Sequence, residues 1–109
     1  MDIAFDKKEA LLVVKLKGEI DHHSCEYIRQ RADKAFIEER LMNMELDFSK
    51  VSFMDSSAIG LIMGRKKLVE SLGGEVFVTG LNDRFLKMLK LSGIDRVVKI
   101  SGKGDEFNG

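Results

Sequence analysis

The chain has 109 residues, enough for one domain with its own core. Apolar residues make up 44% and charged residues 33%, with 18 basic side chains against 18 acidic ones, so no block of like charge offers a nucleic-acid or anionic-membrane footprint. The apolar runs are too short to span a bilayer, and the first residues lack a basic segment followed by an apolar one, so a cytoplasmic chain is expected.

In chain order, residues 2–6 read as a short edge strand, joined through Lys7-Lys8-Glu9 to a second strand over about 10–17, where Leu12, Val14 and Leu16 alternate with their neighbours. The segment from Gly18 to His23 reads as a loop. Ser24 is expected to cap a helix running to about Glu39, with Ile28, Ala32, Ala35 and Phe36 at helical spacing. Cys25, the single cysteine, excludes an internal disulfide. A place in a first helical turn would lower its thiol pKa, and no resolving cysteine accompanies it. Residues 44–48 alternate as a third strand, 75–79 form a fourth, and Asn82 or Asp83 caps a short helix that stops at Ser92-Gly93. A last strand is expected from Arg96 to Ile100. Residues 1–100 then form the domain, and 101–109 a polar, frayed tail.

The stretch Phe53-Met54-Asp55-Ser56-Ser57-Ala58-Ile59-Gly60 joins the third strand to a helix over Ala58–Leu72 that ends at Gly73-Gly74. Asp and Ser are common N-caps, because their oxygens accept from the free N–H groups of the first turn, so capping is the ordinary account of Asp55-Ser56-Ser57. Gly60 and Gly64 point further. Each costs about 1 kcal/mol in a helix relative to Ala, and their presence suggests a close approach to the backbone. At about 100° per residue, Ala58, Leu61, Ile62, Leu68, Val69 and Leu72 share one arc, assigned to the core. Arg65 falls inside that arc. Ile59 and Met63 fall outside it, beside the serines, as a candidate docking pair.

The order β-β-α-β-α-β-α-β implies an α/β fold with a mixed, mostly parallel sheet. Glu45 and Asp47 alternate with apolar residues, so one sheet face should be partly solvated and the helices should lie mainly on the other. Strand-to-helix loops gather at the C-terminal strand edge. The candidate site therefore combines Asp21, His22 and His23 with Met54, Asp55, Ser56, Ser57, Ile59, Gly60 and Met63, with Asn82 nearby.

Several chemistries can be weighed there. A serine hydrolase would use Ser56 or Ser57 with His22 or His23 as base, but the Gly-x-Ser-x-Gly elbow is absent. The adjacent His22-His23 lacks further ligands for a metal. No Walker or kinase pattern occurs, although a helix N-terminus can hold a nucleotide weakly. A protein-binding module with a modifiable serine remains. A phosphate on Ser57 adds about −1.5 to −2 charges, which the helix N-terminus tolerates but a docked partner does not.

The motif Asp55-Ser56-Ser57-Ala58-Ile59-Gly60, after a strand and opening a helix, resembles the Asp-Ser-Ser-Gly-hydrophobic-Gly signature of STAS-domain anti-sigma factor antagonists. With Gly18-Glu19-Ile20-Asp21-His22-His23 and Gly64-Arg65, the resemblance covers nearly the whole chain and is greatest to the sporulation branch that acts on the anti-sigma F factor. It implies a single STAS-like domain that is not an enzyme; no cofactor is expected, and a monomer is expected when free because the edge strand is short and has charged neighbours. It implies as partners an anti-sigma factor that is also a serine kinase and a PP2C-type serine phosphatase. Phosphorylation falls on the second motif serine, here Ser57, and switches binding off. Antagonists of the general stress response carry the same motif, and the His22-His23 pair favours the sporulation branch. Ala58 departs from the glycine usual at its position.

Overall fold

The computed structural model describes residues 1–102. The elements are β1 (Asp2–Asp6), β2 (Leu11–Ile20), α1 (His22–Glu38), β3 (Asn43–Met54), α2 (Ser57–Ser71), β4 (Val76–Leu81), α3 (Asp83–Ser92), a 3-10 turn (Ile94–Arg96) and β5 (Lys99–Gly102). The expected order of strands and helices is present. The five strands lie in the order β1-β2-β3-β4-β5. The β1–β2 pair is antiparallel and every later pair is parallel.

This order explains where the helices lie. Each β-α-β step moves one strand in the same direction, and right-handed crossovers then put all three helices on one face. There, Leu12, Val14 and Leu16 of β2, Met44, Leu46 and Phe48 of β3, and Val76 and Val78 of β4 are buried. They belong to one core with Ile28, Ala32 and Phe36 of α1, Ala58, Leu61, Ile62 and Val69 of α2, and Phe85 and Leu89 of α3. Each of the larger side chains among them, the alanines aside, stabilises the fold by about 1.5–3 kcal/mol. The opposite face is half-buried and polar in part. There the Thr79 hydroxyl donates to the Glu45 carboxylate at 2.9 Å, which gives the alternating acids of β3 a place.

The strands run further than their alternation suggests. β2 continues through Gly18-Glu19-Ile20, and β3 through Ser49 to Met54. Register shifts between Lys15 and Lys17 and between Gly18 and Glu19 interrupt the ladder. Past Phe48 the buried residues of β3 are Val51 and Met54, three apart, because an irregular strand no longer alternates strictly. Asp47 supports this bend by accepting from the Ser49 N–H at 2.9 Å. Gly80, at φ +72°, passes so close that a Cβ would lie 2.7 Å from the Ser49 nitrogen.

Other boundaries differ as well. The expected strand from Arg96 begins only at Lys99, because residues 94–96 close a 3-10 turn. Ser101 and Gly102, expected in the tail, are buried in β5, and the remainder of that tail lies outside the described residues. Gly73 and Gly74 do end α2. Gly73 is left-handed at φ +93°, its N–H donates to the Glu70 carbonyl, and that of Gly74 donates to Val69. These are the two bonds of a Schellman cap. Leu72, placed in the core arc by the helical wheel, is 55% exposed, since it is the C-cap and the chain turns away there.

Candidate functional site

β2 and β3 end together, with Ile20 paired to Met54. The Asp55 N–H then donates to the Ile20 carbonyl at 3.2 Å, which holds the two strand-to-helix junctions side by side. Both junctions are shorter than expected. Asp21 alone separates β2 from α1, and Asp55-Ser56 alone separates β3 from α2. Tight junctions on a rigid sheet edge fix the side chains that they carry.

Asp21, not Ser24, caps α1. The Ser24 N–H donates to Asp21 Oδ1 at 2.9 Å, and the Asp21 N–H donates to Ser24 Oγ at 3.0 Å. This is a reciprocal capping box with serine at N3. The Ser24 N–H holds the Asp21 carboxyl below its ordinary pKa. At α2 the division of labour is different. Ser57 donates its N–H to Asp55 Oδ1 at 2.8 Å, while Ser56, the N-cap by position, makes no side-chain cap bond. Asp55 therefore does the capping. Among the described residues, neither serine hydroxyl is engaged in a hydrogen bond.

Ser57 opens onto a groove of about 610 Å³ between α1 and α2, which it lines with His22, Cys25, Arg29, Gly60 and Gly64 among others. The Cys25 thiol donates to the Ser57 carbonyl at 3.6 Å. Its pKa is raised, not lowered as its helical position suggested. Burial is the main cause, followed by the negative charges of Asp55 and Asp21. A Cβ built on Gly60 or Gly64 would meet nothing within 4 Å. Neither glycine is therefore required by packing inside the chain.

The other expected site residues divide by exposure. His22, His23, Ser56 and Gly60 are exposed, and Asp21, Asp55 and Ser57 are half-buried. Met63 is exposed, but Ile59 is half-buried and packs against the core. Met54 does not belong to the accessible set. It is 2% exposed because its side chain points to the helix-covered face. Its neighbour Phe53, 44% exposed, occupies the opposite face at this edge and was missed. The alternation of side chains along a strand could have revealed it. Asn82 lies at the end of β4, where its side chain caps α3 by accepting from the Phe85 N–H at 2.8 Å.

Arg65 is buried in the core arc, as the wheel placed it. Its Nε lies 2.8 Å from Asp33 Oδ1 of α1, out of line for a hydrogen bond, so the contact is an ion pair. It ties α2 to α1 beneath the groove. Burial pushes the Asp33 carboxyl up, against the opposing pull of Arg65. Among the described residues no group of three or more His, Cys, Asp or Glu side chains is placed to hold a metal, and neither imidazole hydrogen-bonds a serine. No described helix is long and apolar enough to cross a membrane.

A one-sided α/β layer with a rigid Asp-Ser-Ser junction at its C-terminal strand edge is the architecture of a STAS domain. Residues 2–106 match the family model of that description, and the chain belongs to the STAS-domain family. It is 33% identical over 100 residues to an anti-sigma F factor antagonist of Paenibacillus polymyxa, covering 92% of this chain and 86% of that relative. It is 28% identical over 107 residues to an anti-sigma-B factor antagonist of Bacillus subtilis, covering 96% of each. Among solved structures, the anti-sigma factor antagonist SpoIIAA in its unphosphorylated form matches with a TM-score of 0.78 at 28% identity, over 92% of this chain and 86% of that one. The phosphorylated form of SpoIIAA, described as a Bacillus cell fate determinant, matches with a TM-score of 0.70 at 28% identity, over 92% and 89%.

Proposed function

We propose that this chain is a cytoplasmic anti-sigma factor antagonist that acts by binding, not by catalysis. Its unphosphorylated form binds an anti-sigma factor serine kinase and so frees the sporulation sigma F factor. Phosphorylation of Ser57 by that kinase switches binding off, and a PP2C-type phosphatase restores it. The observation that carries this reading is the division of labour at the start of α2. Asp55 alone makes the cap bond, so capping does not account for the two serines, and their hydroxyls are left for another role.

The physics of the switch follows from the surroundings of Ser57. A phosphate there adds about −1.5 to −2 charges at the N-terminus of a 15-residue helix, whose dipole favours an anion. The fold therefore stands. A partner seated over Ser57, Gly60 and Met63 would have to bury that charge beside the Asp55 carboxylate, and burial of an unpaired charge is costly. The exposed His22 and His23, next to half-buried Asp21, flank the same surface. Gly60 and Gly64 keep the helix backbone bare where the partner would approach. The reading requires no cofactor, and weak nucleotide binding at the α2 N-terminus would be incidental to it.

Affinity capture of the unphosphorylated chain by two purified anti-sigma kinases, one from a sporulation cascade and one from a general stress cascade, tests the reading. Preference for the sporulation kinase, lost in Ser57→Asp, is the expected result. Preference for the stress kinase would reassign the chain to the other cascade, a reading that the 28% identity to an anti-sigma-B factor antagonist keeps in view. Capture by neither would overturn the proposal. A small serine hydrolase would instead be labelled at Ser57 by an active-site serine probe with no kinase present.

A further inference from the structure

The surface of α3 and the turn after it carries a feature that partner switching at Ser57 does not use. Leu91, at 79%, is the most exposed large apolar side chain among the described residues, and Val97 is 52% exposed. Cations surround them. Arg84, Lys87, Lys90 and Arg96 are all exposed, and none makes an ion pair among the described residues. The unpaired acids there are Asp83 and Asp95, and Asp83 lies in the first turn of α3, where the helix dipole offsets its charge. In a chain whose charges cancel overall, this region is locally cationic.

Its shape narrows the occupant. Two open concavities meet at Lys90. One, of about 280 Å³, is lined by Leu86, Lys87, Lys90 and Leu91, with Asp83 of the first helical turn at its edge. The other, of about 540 Å³, runs from Lys90 past Arg96 and Val97 to the start of β5, and of its acids Glu70 and Glu75 are paired with Lys66 and Lys99 while Asp95 is unpaired among the described residues. A bilayer is flat on this scale and would meet two apolar side chains, far less than an interfacial helix buries. A peptide can place an apolar side chain against Leu86 and Leu91 and set carboxylates against the cations at the rim. Neither concavity shares a lining residue with the Ser57 groove.

We propose that the α3 surface around Lys87, Lys90, Leu91 and Arg96 is a second docking site, for an acidic protein segment that carries an apolar anchor, and that it works independently of the state of Ser57. The switch proposed for Ser57 would then control one partner while a second stayed bound. The inference does not rest on that switch.

The test is fluorescence anisotropy with a labelled peptide of alternating Glu and Leu, run beside a Lys/Leu peptide of equal length. The full chain should bind the acidic peptide and not the basic one, with affinity falling as salt rises. Lys87→Glu/Lys90→Glu, both at exposed positions, should weaken binding about tenfold, as expected for two rim charges reversed. Leu91→Ala should weaken it with no change in the far-UV spectrum, and Ser57→Asp should bind as the parent does. Equal binding by the charge-reversed variant would overturn the proposal, as would loss of binding in Ser57→Asp, which would place the peptide in the Ser57 groove. Flotation with phosphatidylserine vesicles without peptide binding would assign the surface to a membrane. Self-association in sedimentation that Leu91→Ala abolishes would assign it to a second copy. Either of these two results also overturns the proposal.

Discussion

The Arg65–Asp33 pair offers the sharpest test of how α1 and α2 are held beneath the switch. The two side chains differ in burial, 7% exposed for Arg65 and 22% for Asp33. That asymmetry sets the expected effects. Asp33→Asn leaves a guanidinium in the core whose remaining contact is the Leu61 carbonyl at 3.5 Å. An uncompensated buried charge costs about 3–5 kcal/mol, and the Asn amide oxygen can still accept weakly from the guanidinium, so about 3 kcal/mol is expected. Arg65→Met keeps the apolar stem and leaves a carboxylate with one side toward water, which should cost about 1–2 kcal/mol. The double variant Asp33→Asn/Arg65→Met leaves neither charge unpaired and should cost about 1 kcal/mol, well below the sum of the two single losses. Urea unfolding of all four proteins closes the cycle, and equal m-values would confirm that the same surface is exposed in each. The pH dependence adds a sign. The Asp33 pKa is raised in the fold, so its contribution to stability is fully present below the ordinary value near 3.8 and is lost as pH rises through the folded value. Asn does not titrate, so Asp33→Asn should cost more at low pH than at neutral pH. Additive single effects, or a loss below about 0.5 kcal/mol for Asp33→Asn, would show that the pair is solvated and would refute the reasoning.

Gly74→Ala should be among the most damaging single substitutions, because a Cβ there would lie 1.6 Å from the Met42 carbonyl oxygen and the backbone must move. A loss of about 3 kcal/mol or more in urea is expected. Gly60→Ala should do the opposite, raising stability by about 0.5–1 kcal/mol in the same assay, since nothing within the chain opposes the methyl. It should also weaken capture by the kinase if the bare backbone is a contact. Cys25 should react with iodoacetamide at pH 8 more slowly than a free cysteine peptide. Asp55→Asn should speed that reaction and Ser57→Asp should slow it, because negative charge beside the thiol raises its pKa. Ser57→Asp should keep cooperative unfolding, and Met63→Ala should lower affinity for the kinase without loss of stability, whereas Ile59→Ala should lose both.

Much of the fold was legible because each helix carries an apolar arc at the right spacing and each strand begins with clean alternation. Leu12-Val14-Leu16 and Met44-Leu46-Phe48 place two central strands by themselves. Their continuations were not legible. Bulging breaks the alternation after Lys15 and after Phe48, so polar residues such as Ser49, Lys50 and Ser52 look like loop. Ser24 looked like a cap because serine usually is one. Only the position of Asp21 three residues earlier shows that Ser24 completes a capping box. Arg65 stood out in an apolar arc, but its partner lies 32 residues away on another helix, beyond the reach of any local pattern. The Asp-Ser-Ser junction could be located from sequence, yet the sequence could not say which of the three side chains makes the cap bond. That distinction separates two serines explained by folding from two serines that are not.

Intact-mass measurement with peptide mapping, after incubation with the cognate anti-sigma kinase and ATP, tests the central claim most directly. The parent protein should gain one phosphoryl group on the peptide that carries Ser57, and Ser57→Ala should gain none. No modification of the parent, or modification at Ser56, would contradict the account.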